Sequence, residues 1–273
     1  MTYTPGSSEG LPQAARQRLM GMRGTDQKKG LFTSDLSANE FMLVREAGFV
    51  PLGLVMGSSI YHIGFQAAGF YQSQEVDVLT QAMYNARELA MTRMEEEADM
   101  LGADGIVGVR LEVSRYEWGE SIAEFMAVGT AIRHESGERY RTPDNRPFTS
   151  DLSGQDFWTV LRTGYRPISL VMGCCVYHVA HQGLLKSLRQ VGRNIEMENY
   201  TQALYDAREL ALSRMQAEAE TQQAEGIVGA QVKEASHGWG SHVIEYFAVG
   251  TSVAAISATH QVAAPSVTLP LTG

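Results

Sequence analysis

The chain has 273 residues, 44% of them apolar and 19% charged, a composition that fits one large or two ordinary globular domains and argues against wholesale disorder. Acidic groups outnumber basic ones 31 to 22, and the formal charge of −9 is the wrong sign for broad binding to duplex DNA. No apolar run approaches the ~18 residues of a membrane span, residues 1–10 carry neither a basic head nor an apolar stretch, and the two cysteines are neighbours rather than a disulfide framework. The expectation is a cytoplasmic protein with no nucleic-acid and no membrane partner.

Residues 1–30 are rich in Gly, Ser, Pro and Gln and carry five basic against two acidic groups, so they are predicted to form a flexible tail. Such a tail could dock on an acidic protein partner, although a short solvated tail is the plainer account. From Phe32 onward the chain repeats itself. The stretch Phe32-Thr-Ser-Asp-Leu-Ser37 returns from Phe148, and Gly48–His62 returns as Gly164–His178, both at an offset of 116. Thr80–Met94 returns as Thr201–Met215 at an offset of 121, which Gly-Ile-Val-Gly, Trp-Gly and Ala-Val-Gly-Thr then keep. Over both aligned blocks 41 of 85 positions are identical, which is a duplication.

Each copy is predicted with one set of elements. Residues 49–62 are apolar and β-branched and read as a buried strand. Leu79, Ala82, Met83, Ala86, Ala90, Met94, Ala98 and Leu101 fall at helical spacing, so residues 79–101 are predicted as an amphipathic helix, closed by Gly102 in the left-handed conformation. Copy two has Gln223 there, and its helix is expected to end differently. In residues 106–116 apolar Val107, Val109, Leu111 and Val113 alternate with polar or small neighbours as in a half-exposed strand. Residues 121–132 are its hairpin partner across a turn at Trp118-Gly119. The predicted fold class is therefore α+β, strand–helix–strand–strand twice: residues 31–134 and 147–257, a polar linker at 135–146, and an irregular tail at 258–273.

The glycine-bounded Leu54-Val-Met-Gly57 and Leu170-Val-Met-Gly173 strands, the Ala-Arg-Glu-Leu-Ala helices and the Gly-Ile-Val-Gly strands carry a resemblance. The sequence resembles two tandem copies of the YbjQ-like domain, a family named for heavy-metal binding. The resemblance implies an α+β domain that assembles into ring-shaped homo-oligomers, typically of five single-domain subunits, and it implies no established reaction.

Metal chemistry has one local candidate, Cys174, Cys175, His178 and His181, whose ligand types suit Zn or Cu. On a helix Cys174, His178 and His181 would share a face. On a strand Cys174 and His178 would lie ~13 Å apart, too far to share an ion unaided. Copy one has Ser58, Ser59 and His62 at the matching places, so two small buried residues are the plainer account. His62 and His178 end the two first strands and could equally be satisfied, partly buried histidines. By period two, Glu124 and Glu245 fall on faces otherwise apolar, which is costly unless the carboxylates are paired. Arg87 and Arg208, also repeated, are the expected partners, within or between repeats or subunits. Phosphate loops, HExxH, GxSxG and GxGxxG motifs do not occur. The reading that follows is a non-enzymatic, homo-oligomerising scaffold or binding module. Its alternative is a metal-handling protein using Cys174, Cys175 and His178, and an enzyme built on the repeated His and Glu residues comes third.

Overall fold

The computed structural model describes residues 11–24, 30–62, 73–115, 122–137, 140–179, 198–236 and 243–257. The fold is α+β, built from two repeats that share the order short helix, long strand, long helix, strand, strand and differ in where a two-residue strand falls. Repeat 1 holds α2 (Ala38–Glu46), β1 (Phe49–His62), β2 (Gln74–Glu75), α3 (Asp77–Leu101), β3 (Gly105–Arg115) and β4 (Ile122–His134). Repeat 2 holds β5 (Phe148–Thr149), α4 (Gly154–Arg162), β6 (Tyr165–His178), α5 (Glu198–Thr221), β7 (Gly226–Ser236) and β8 (Val243–Ala255). The turn at Trp118-Gly119, its counterpart at Trp239, and the tail from 258 lie outside the described residues.

The strands form two four-stranded sheets, ordered β1-β4-β3-β5 and β2-β6-β8-β7. Each repeat lends a two-residue strand to the other: β5 pairs in parallel with β3, and β2 pairs antiparallel with β6. Gly108 and Gly229 take positive φ, 64° and 66°, where β3 and β7 slip register against β4 and β8, so the Gly-Ile-Val-Gly motif marks the same bulge twice.

Strand alternation then stacks the layers. Val55 and Ser59 face α3, while Met56, Ser58 and Ile60 point to the opposite side of sheet 1. In sheet 2, Val171 and Cys175 face α5, whereas Met172, Cys174 and Val176 share a core with α3. Helix α3 is thus buried on two sides, between its own sheet and that of repeat 2, and the layers run sheet 1, α3, sheet 2, α5. Gly57 and Gly173 make the close strand–helix contacts: a Cβ would lie 2.1 Å from the Ala90 carbonyl oxygen and 1.9 Å from that of Ala211.

Three elements differ from the sequence reading. Residues 1–30, expected as a flexible tail, contain α1 (Gln13–Arg23); Leu19 of this helix, and Leu11 just ahead of it, enter the main core beside α3. Helices α2 and α4 were not expected. Their signal is a capping residue, Ser37 accepting from the Glu40 N–H with Glu40 returning a bond to Ser37, and Ser153 accepting from Asp156. Lastly, α5 ends as α3 does. Gln223 takes a left-handed φ of 56°, and Ala224 N–H bonds to Ala219 as Ala103 N–H bonds to Ala98.

Candidate functional site: the polar junction between the repeats

Where α3 meets sheet 2, an apolar layer contains a charge. Arg87 projects from α3 toward repeat 2 because it lies one turn from Met83 and Met91 on that side of the helix. Its Nη1 is 2.7 Å from Glu245 Oε1 on β8, and both side chains are 4% exposed. The same nitrogen donates to Cys174 Sγ at 3.4 Å, and the thiol donates to Glu245 Oε1 at 3.2 Å. The guanidinium also sits 4.1 Å from the Phe247 ring centroid and 5.4 Å from that of Phe125, so one aromatic ring from each repeat flanks it.

Electrostatics follow from this enclosure. Burial works against the Arg87 charge, but Glu245 and Cys174 outweigh it and hold the guanidinium more firmly protonated than usual. Burial, reinforced by Glu245, pushes the Cys174 thiol well above its ordinary range against the pull of Arg87. Cys175, on the opposite face against α5, is pushed up to about 12, by burial first and then by Glu75. At neutral pH both are thiols, and Cys174 donates a hydrogen bond to Glu245.

A second polar contact lies alongside. Arg214 of α5 forks onto Glu75 of β2 at 2.5 and 2.9 Å and also donates to the Cys174 carbonyl at 2.7 Å. Thr80 Oγ1 accepts from the Val176 N–H at 2.9 Å. A hollow of about 340 Å³ between these groups is lined by Glu75, Thr80, Tyr84, Cys174 and Arg214. A larger cleft of about 500 Å³ on the same junction carries Glu88, Glu95, Glu218 and Arg146. Glu95 and Glu218 are both pushed up to about 7, chiefly by burial, with Glu88 adding like-charge repulsion.

The residues singled out in the sequence divide as follows. Arg87 and Glu245 come together across the repeats, with Cys174 between them. Arg208 lies half-exposed on α5, its guanidinium 5.2 Å from the Tyr205 ring and 5.5 Å from the Tyr246 ring. Glu124 is half-buried on the outer face of sheet 1, paired in register with Ile60. Cys174 and Cys175 occupy opposite faces of β6, and His178 is buried at its end. His181 and the side chain of His62 lie outside the described part of the chain. Among the described residues, no three His, Cys, Asp or Glu side chains gather closely enough to hold one metal ion. Sequence reasoning missed Glu75, Glu88 and Arg214. The Glu95-Glu96-Glu97 run, which reads from the sequence as a solvated helix face because copy two reduces it to Gln216-Ala217-Glu218, instead has Glu96 and Glu97 buried. Arg214 repeats as Arg93, and that was the available signal.

Comparison with known proteins matches the chain twice to the YbjQ-like family, described as "Putative heavy-metal-binding", over residues 44–135 and 165–256. It is 51% identical over 241 residues to the encapsulin nanocompartment protein Rv1762c of Mycobacterium tuberculosis, a match covering 88% of this chain and 92% of that protein. Shorter UPF0145 proteins match about one repeat: 34% identity over 104 residues in Fervidobacterium nodosum (34% of this chain, 94% of that protein) and 40% over 87 residues in Methanococcus maripaludis (30% and 76%).

Proposed function

The chain belongs to the YbjQ-like family as a tandem duplication, and from that premise we propose that it is a non-enzymatic, homo-oligomerising scaffold that works as part of an encapsulin-type nanocompartment. The observation that carries this reading is the junction between the repeats. Its charged pair is buried, enclosed by aromatic rings and bridged by an exchanged strand, as in an obligate subunit interface written into one chain. A chain that buries a charged pair to join its own repeats is organised for assembly. The likeness to a protein named for a nanocompartment supplies the setting.

Native mass spectrometry of the full-length chain, purified without chelator, tests both parts of this reading. The expected spectrum shows multiples of the 29.9 kDa chain without stoichiometric metal, unchanged in a Cys174→Ser/Cys175→Ser variant. A strictly monomeric mass at micromolar concentration would sink the scaffold. About one zinc or copper per chain, lost in the double variant, would instead establish the metal-handling alternative through Cys174, Cys175 and His178. Co-sedimentation of the purified chain with assembled encapsulin shells checks the compartment, and a chain left entirely in the supernatant would remove it from the proposal.

A further inference from the structure

The junction between repeats has two faces, and among the described residues each has a counterpart on the outer side of the chain. On the covered side, Met172 and Val176 of sheet 2 are 2% and 0% exposed beneath α3. Their counterparts in sheet 1, Met56 and Ile60, are 37% and 61% exposed. On the helix side, Tyr84 of α3 is half-buried against repeat 2, while its counterpart Tyr205 on α5 is 54% exposed. Charge follows the same correspondence. Arg87 meets Glu245 inside the chain; Arg208 stands on the outward side of α5, and Glu124 stands on the outer face of sheet 1.

The strand edges repeat the pattern. Within the chain, β5 covers the edge of β3, with Phe148 and Ser150 N–H groups donating to the Asp104 and Ile106 carbonyls. The corresponding edge of β7 is the outer strand of sheet 2. At Gly105 on β3 a Cβ would lie 2.2 Å from the Phe148 ring, which occupies that space. At Gly226, the matching residue on β7, the nearest atom lies 3.9 Å away, on Val253. The residue that corresponds to Phe148 is Phe32, which is exposed and already stacked on Phe41 at 5.7 Å, as Phe148 stacks on Phe157 at 5.8 Å.

We propose that a second copy of this chain docks the outer face of its sheet 1 onto α5, with its Phe32-Thr33 segment paired to β7, repeating between chains the contact that joins the repeats within one. The inference rests on the oligomerising reading above and adds its surface and register. Arg208 then reaches Glu124 of the next copy, and Ser58 takes the place that Cys174 fills inside the chain. The contact is head-to-tail, so each chain keeps one donor and one acceptor surface.

Three variants of the full-length chain, with native mass spectrometry and circular dichroism, test it. Gly226→Ala adds a methyl group where the monomer has room and where Phe32 of the next copy would lie. Arg208→Glu and Glu124→Arg each place like charges in the junction. Each single variant is expected to keep the wild-type spectrum of a folded protein and to weaken chain–chain association about 30-fold or more. The double charge reversal, Arg208→Glu with Glu124→Arg, restores the wild-type mass. If all three single variants keep the wild-type oligomer, the surface is wrong while the scaffold reading stands. A wild-type monomer would overturn both.

Discussion

At the residue scale, the junction shows how an ion pair can be expensive and still decisive. Burying Arg87 and Glu245 costs several kcal/mol of hydration, which mutual attraction, the Cys174 bond and the flanking rings offset. Removing one member leaves the other charged and unmatched. Arg87→Ala is therefore expected to destabilise the protein by about 3 kcal/mol or more in chemical denaturation. An unchanged midpoint would mean that Glu245 is solvated. Gln223 is the opposite case, a residue in a conformation that suits glycine. Left-handed φ costs a side-chain-bearing residue roughly 1 kcal/mol, and nothing in copy two relieves it, as Gly102 does in copy one. Gln223→Gly should raise stability by up to about 1 kcal/mol, net of the extra freedom glycine gives the unfolded chain. A lower melting temperature would show that the Gln223 side chain earns its place.

At the element scale, much of the fold was legible because two copies speak for each template position. The strand at 49–62, the long helix and the following hairpin strands follow from periodicity, and Leu-Val-Met-Gly persists because Gly57 and Gly173 touch helix backbone. Helices α2 and α4 escaped because nine residues span too few turns to set a period apart from the neighbouring strands, although Val44 and Phe157 are fully buried. The Arg87–Glu245 contact was legible only as a pair of repeated charges. Which repeat supplies the partner depends on layer order, and no local pattern encodes that. The cleft between α3 and α5 was invisible for the same reason, and it carries a pH dependence. Glu95 and Glu218 titrate near 7 in the folded state against about 4.5 unfolded, raised chiefly by burial and then by Glu88, while Arg146 tempers Glu95 and Tyr84 and the Met172 N–H bond Glu218. A raised carboxylate pKa means that the folded state binds the proton more tightly. Its stabilisation is complete below about 4.5 and is lost as pH rises through 7. Stability should thus fall by roughly 2–3 kcal/mol for each carboxylate between pH 5 and 8. Glu95→Gln and Glu218→Gln should each flatten that slope and raise the melting temperature at pH 8. Identical slopes in wild type and both variants would remove the cleft as the cause.

At the scale of the whole molecule, the duplication changes what an assembly can look like. A single-domain subunit can close a ring with any number of members, including five. Here the Arg87 junction and the exchanged strands fix two domains within one chain, and the proposed contact would join further copies through α5 and sheet 1. If the contact between chains repeats the contact within them, every closed ring contains whole chains, and its lobes alternate between two chemically distinct junctions, one with Cys174 and one with Ser58. The lobe count in a single layer is then even. Five lobes per layer would require the two repeats of one chain to sit in different rings, and the side-by-side burial of α3 against sheet 2 argues against that. Rotational averages of the purified assembly in negative-stain images should show an even number of lobes, with true symmetry at half that number. A two-layered, five-lobed ring would mean that the repeats stack rather than follow one another, and the head-to-tail arrangement would have to be abandoned.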